Sequence, residues 1–166
     1  LGRFTAGKGV LEAIAVARQA GLPLQLAAEA NDYYREVVAP LVDGTSVVYA
    51  GEVRGAAKAA LLGGARALLY PVQKPEPFGL VLAEAFACGT PVAALDMGAV
   101  SEIVDHDVTG GVYSTLEALV AGLPRVLALD RQVIRTTAVA RFGLARMVAA
   151  YEAIYLDLLS PAGGPR

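Results

Sequence analysis

Short runs of Val, Leu and Ala alternate with longer stretches of helical periodicity along most of this chain, and that alternation limits the folds open to it. Strands are expected at Leu24 to Ala28, Ser46 to Ala50, Ala67 to Tyr70, Pro91 to Leu95 and near Gly111 to Tyr113. Helices are expected between them at Lys8 to Ala20, Asp32 to Leu41, Gly55 to Leu62, Leu80 to Cys88 and Ser101 to Asp105. Brief apolar strands separated by helices argue for an α/β fold, a Rossmann-like parallel sheet with helices on both faces. In such a sheet ligands gather outside the carboxyl ends of the strands. After Ser114 the pattern becomes wholly helical, through Leu116 to Leu129, Arg131 to Arg141 and Gly143 to Leu159, with Phe142-Gly143 marking a break.

The stretch from Lys74 to Val92 carries the chemistry. Tyr70-Pro71 closes a strand, a Pro-rich loop follows, and Phe78-Gly79 precedes the helix that starts at Leu80. First-turn amides of a helix lack intrahelical acceptors and sit at the positive end of its dipole. A phosphate beside Phe78, Gly79 and Leu80 would therefore be held by backbone alone, and Gly79 allows close approach. Glu84 is the one charged residue in a helix otherwise covered by apolar side chains, so the helix reads as buried and the carboxylate needs donors. A ribose diol would supply them; a solvated edge or a neighbouring Arg would also do. Glu76, in the loop before the helix, is by itself an ordinary solvated charge.

At the start of the chain, Arg3 and Lys8 lie four intervening residues apart in a loop that leads into an amphipathic stretch. A guanidinium with two parallel donors and a compact ammonium can clamp a diphosphate between them, although cations near a helix start are also common surface residues. A third segment, Asp96 to Val104, opens a short helix with Ser101 and Glu102 after a Gly loop.

These residues together resemble the retaining glycosyltransferases of family 4, enzymes of the GT-B fold, in which two Rossmann-like halves face each other. The resemblance is to the C-terminal, donor-binding half. It rests on a Glu, seven residues and a second Glu around a Phe-Gly-Leu turn, here Glu76-Pro77-Phe78-Gly79-Leu80-Val81-Leu82-Ala83-Glu84, followed by Ala85-Phe86-Ala87-Cys88-Gly89-Thr90-Pro91-Val92.

The resemblance implies that the donor is a nucleoside diphosphate sugar, linked to UDP, GDP or ADP. Glu76 then faces the transferred sugar and Glu84 the ribose, while Arg3 and Lys8 neutralise the diphosphate. Backbone groups of Glu52 and Val53, in a segment similar to the family's loop beside the base, become candidates for pairing with that base. Asp107 stands where the family has a Gly, a departure that Asp tolerates because it enters the left-handed conformation better than most residues. The resemblance further implies that the acceptor binds an N-terminal domain absent from this chain, and that the first strand needs residues before Gly2.

Composition bounds the rest. At 166 residues the chain fits one domain, expected over residues 1–159, with a disordered tail from Ser160 to Arg166. Apolar residues make up 55% and mean hydropathy is +0.51, yet no apolar run is long enough to span a bilayer. The amino end lacks the basic region and apolar core of a signal peptide. A net charge of -2 and a pI near 5.4 leave no basic surface for nucleic acid. One cysteine, Cys88, excludes an internal disulfide, reads as a buried small side chain and fits the cytoplasm. The sole His, His106, has no nucleophile beside it in sequence and reads as a bystander. With no His or Cys pairs at ligand spacing, neither metal nor other cofactor is expected. Met147, Tyr151, Ile154, Tyr155 and Leu158 recur at helical spacing as a packing stripe, or as a face for self-association if nothing in this chain covers it.

Two other function classes compete. A non-catalytic nucleotide-binding or scaffolding module would keep the Rossmann-like core without both cations and both carboxylates. A receiver-like signalling domain would carry acids after its first strand, where this chain has Arg3 and Lys8.

Overall fold

The computed structural model describes residues 1–159, so the expected tail lies outside the described residues. Within them, β1 (Leu24–Leu26) and β2 (Val47–Tyr49) pair in parallel, with Leu24 opposite Val47 and Leu26 opposite Tyr49. β3 (Leu68–Tyr70), β4 (Val92–Leu95) and β5 (Gly110–Tyr113) form a second parallel sheet with β4 in the middle. The expected single sheet is thus divided in two. Between β1 and β3 lies a cavity of about 470 Å³, lined by Leu1, Leu24, Leu26, Leu68 and Leu69 among others. No strand among the described residues joins the two edges across it.

Helices cover both faces of the larger sheet, as the alternation requires. Every residue of β4 is buried, and its side chains point alternately to opposite faces. Val92 and Ala94 pack with α2 (Gly55–Gly64), α3 (Leu80–Ala87), α4 (Val100–Ile103) and α6 (Arg131–Phe142). Ala93 and Leu95 pack instead with Val16 of α1 (Val10–Gln19) and with Leu119, Leu123 and Val126 of α5 (Leu116–Leu127). Leu82 and Phe86 of α3 are fully buried, which contributes about 1.5–3 kcal/mol each. Arg131, at the start of α6, donates to the carbonyls of Gly63 and Ala65 at the end of α2 and to Thr90 Oγ1. Those carbonyls would otherwise lack partners.

Four local expectations are corrected. The Asp32 to Leu41 stretch is no regular α-helix. It winds as a wide π turn, Tyr34–Val38, and a tight 3₁₀ turn, Ala39–Leu41, where Pro40 has no amide for an α-helical bond. The helix expected from Lys8 is split by Gly9, whose φ of 71° separates the turn Ala6–Lys8 from α1. α3 is not buried all round, since Leu80 at its mouth is 73% exposed and Ala87 is exposed as well. Cys88, its C-cap, is half-buried rather than buried.

α7 (Leu144–Leu159) follows the break at Gly143 and buries none of its residues. Met147, Tyr151, Ile154, Tyr155 and Leu158 are all more than half exposed. Their stripe therefore does not pack within the described residues. No helix among the described residues is long and apolar enough to cross a membrane.

Candidate functional site

The loop after β3 is anchored on both sides, and that anchoring places Glu76. On one side the Gln73 amide donates to the Gly7 carbonyl at 3.0 Å, and Gly9 lies so close to Pro71 that a Cβ there would stand 1.8 Å from its carbonyl oxygen. Lys8, between these two glycines, is thereby carried to the loop. On the other side Glu76 bridges Gly98 in strand fashion, and its carbonyl accepts from the Ala99 amide at 3.0 Å. A Cβ on Gly98 would come within 2.5 Å of the Glu76 backbone. The Ala6–Lys8 turn and the loops after β3 and β4 thus meet at one place.

Lys8 Nζ donates to Glu76 Oε2, a pair joining residues 68 positions apart. The two side chains are 31% and 21% exposed. Beside them the Tyr70 phenol is pushed well above its ordinary pKa, chiefly by burial and further by the Glu76 charge. Arg3 is exposed and lines the same cavity as Lys8.

The mouth of α3 lies next along the chain. Gly79 is its N-cap with φ 78° and no side chain caps the helix; the Leu82 amide donates to the Gly79 carbonyl at 2.8 Å, and the Leu80 and Val81 amides are left to water or a ligand. A Cβ on Gly79 would stand 2.8 Å from the Tyr70 hydroxyl, which explains why glycine fits there. The Phe78 ring meets the Phe142 ring edge-on at 6.1 Å.

Glu84 sits four residues beyond Leu80, on the same face of α3. Its partner is a cation that sequence reading missed, Lys58 of α2, whose Nζ donates to Glu84 Oε1. Glu52 and Val53 lie in the loop between β2 and α2. The Glu52 carboxylate is bound by Arg54 at 2.6 and 2.9 Å, which raises the Arg54 pKa. Neither Lys58 nor Arg54 carried a sequence signal of its own; the helical pattern around Lys58 shows only that α2 has one charged side chain.

The other singled-out residues take structural places. Asp107 adopts φ 65° and pairs with Arg125 at 2.7 Å, so the residue at the glycine-favoured position does turn left-handed. His106 Nδ1 accepts from the Val112 amide at 3.1 Å. Glu102 is exposed, and its carbonyl accepts from Arg141 at 2.8 Å. Among the described residues no group of three or more His, Cys, Asp or Glu side chains could hold a metal ion.

Comparisons with known proteins agree with this architecture. The family model for glycosyl transferases group 1 matches residues 1–138. An uncharacterized glycosyltransferase of Methanocaldococcus jannaschii is 32% identical over 136 residues, covering 77% of this chain and 35% of that protein. The crystal structure of AviGT4, a glycosyltransferase involved in avilamycin A biosynthesis, superposes with a TM-score of 0.80 at 30% identity, covering 98% of this chain and 51% of its own. HepE of Anabaena, solved in complex with UDP and glucose, shares the fold with a TM-score of 0.77 at 22% identity, over 96% of this chain and 47% of its own. This chain therefore spans about half the length of these solved structures or less. With its parallel sheets, its helices on both faces and the Glu76–Glu84 run at one loop, it belongs to the group 1 glycosyl transferases.

Proposed function

We propose that this chain is the donor-binding part of a retaining glycosyltransferase whose substrate is a nucleoside diphosphate sugar. The observation that carries the reading is the meeting of Lys8, Glu76 and the uncapped mouth of α3 at one loop, with Glu84 one helical turn further on. Aligned amides and an ammonium beside them suit a diphosphate, and a carboxylate one turn away suits a ribose diol. UDP is the first nucleotide to try, since HepE, of the same fold, was solved with it.

In the reaction an acceptor hydroxyl oxygen bonds to the anomeric carbon as the bond from that carbon to the diphosphate oxygen breaks; the electron pair stays on the diphosphate oxygen, which takes up the hydroxyl proton. Lys8, Arg3 and the α3 amides hold the developing charge, the kind of aimed electrostatic help that supplies much of enzymatic rate. No metal is called for in this scheme. Glu76 orients the sugar and Glu84 the ribose, while backbone groups of Glu52 and Val53 read the base. The acceptor binds a second, N-terminal domain, and this chain alone transfers little sugar. The exposed face of α7 is where such a domain, or a second copy of the chain, would dock. The setting is the cytoplasm, where nucleotide sugars are available. A non-catalytic nucleotide module would have no use for a sugar-facing carboxylate at Glu76.

Calorimetric titration with UDP, GDP and ADP tests the reading. One of them is expected to bind, with Glu84→Ala weakening it by about 1.5–3 kcal/mol, the scale of hydrogen bonds to a charged group. Absence of binding by all three would overturn it, and unchanged affinity in Glu84→Ala would remove the ribose assignment.

A further inference from the structure

α2 is a helix of small and aliphatic residues, Gly-Ala-Ala-Lys-Ala-Ala-Leu-Leu-Gly-Gly, and Lys58 is its single charge. That charge falls near the N-terminal end, where the helix dipole disfavours a cation and no acid in the first turn offsets it. Helix stability alone therefore gives no reason for Lys58. Its side chain instead leaves α2 and donates to Glu84 Oε1 on α3.

The pair is partly desolvated, with the two side chains 33% and 39% exposed. Lys58 engages only one carboxylate oxygen, and among the described residues no hydrogen bond reaches the other, Oε2. A long Glu side chain carries several rotatable bonds and is costly to hold in one place. An ammonium fixed from a second helix does that holding. It also offsets repulsion that an unpaired Glu84 would exert on a diphosphate about one turn away, roughly 5.4 Å along the helix axis.

We propose that Lys58 is a positioning residue that holds Glu84 with its free oxygen turned to the ribose hydroxyls of the bound nucleotide. This rests on the donor-site reading above. Lys58 itself touches neither sugar nor phosphate in the proposal, so its loss acts through Glu84.

The test compares UDP with 2′-deoxy-UDP on the 166-residue chain by calorimetry, in wild type, Lys58→Met and Lys58→Arg. Wild type is expected to favour UDP by about tenfold, the scale of one hydrogen bond to a charged group. Lys58→Met should lose most of that preference and Lys58→Arg should keep it. A role confined to joining α2 and α3 would weaken both nucleotides equally and leave their ratio unchanged, and that result in Lys58→Met overturns the proposal. Should Lys58→Met fail to melt cooperatively, Lys58→Ala, which removes the donor and matches the neighbouring alanines of α2, takes its place with the same expectation. If wild type binds UDP without any ribose preference, the Glu84 assignment falls first and the Lys58 role with it. If wild type prefers the ribonucleotide and Lys58→Met does too, only the Lys58 role falls.

Discussion

Lys8 and Glu76, 68 positions apart in sequence, close an ion pair at the loop before α3. In the proposed donor site the ammonium assigned to the diphosphate is thus paired with Glu76, and on that reading a nucleotide competes with the carboxylate for it. Glu76→Gln removes the competitor and one negative charge from the diphosphate's surroundings. UDP without its sugar should then bind more tightly by about 0.2–1 kcal/mol, the scale of a partly exposed ion pair. Lys8→Met should instead weaken UDP by about 1.5–3 kcal/mol. Calorimetric titration of both variants measures the difference. Equal weakening in the two would show that Glu76 helps to bind the nucleotide rather than competing for Lys8.

Gly9 sets the position of that cation. Its φ is 71°, and an added Cβ would lie 1.8 Å from the carbonyl oxygen of Pro71. Neither strain can be relieved by a rotating side chain, because the obstacle is backbone. Gly9→Ala should lower stability by at least about 1–3 kcal/mol, the cost of a residue forced into a sparsely populated conformation. The urea midpoint of the purified variant reads this directly, and a midpoint equal to wild type would contradict it.

Much of this site was legible in the chain because its parts are local. The Glu76 to Glu84 run places two acids about a helix start, and strand, loop and helix follow from apolar period and from Pro and Gly. The left-handed Asp107 was legible for the same reason, as a backbone preference of one residue. Lys58 was not legible, since its partner lies 26 positions away and nothing in the period of α2 names it. Burial was misjudged for α3 because apolar composition on all faces does not say which face meets a neighbour; Leu80 at the helix mouth is open. The break between β1 and β3 is likewise a property of pairing between segments, absent from either segment alone.

The approach to β2 depends on one acid. Asp43 Oδ1 accepts from the amides of Thr45, Ser46 and Val47 at 2.8, 2.7 and 3.0 Å, and its carboxylate also accepts from the Ser46 hydroxyl. The Ser46 hydroxyl, followed by the Val47 and Thr45 amides, holds the Asp43 pKa well below the usual carboxylate range. A depressed folded-state pKa adds stability that is present above the unfolded value, near 4, and is lost as pH falls from there toward the folded value. Asp43→Asn should therefore be less stable than wild type at pH 7, with the gap narrowing below about pH 4. Thermal melts of both proteins between neutral and acidic pH follow the gap, and one that persists undiminished at the acid end would rule out the charged turn.

α7 offers the last prediction. Leu144, Met147, Tyr151, Ile154, Tyr155 and Leu158 recur at spacings of three and four and are all more than half exposed. A contiguous apolar face of this kind on an otherwise buried-core protein marks an interaction surface. Because α7 buries no residue of its own, polar substitution on this face removes no internal packing. The chain should associate with itself as concentration rises, and Tyr151→Ser with Ile154→Ser and Leu158→Ser should stay monomeric while melting within about 0.5 kcal/mol of wild type, as surface changes do. Sedimentation equilibrium and thermal melting separate the two effects. A wild-type chain that remains monomeric throughout the accessible range would deny self-association through α7, and a large loss of stability in the triple variant would show that the face packs within the chain after all.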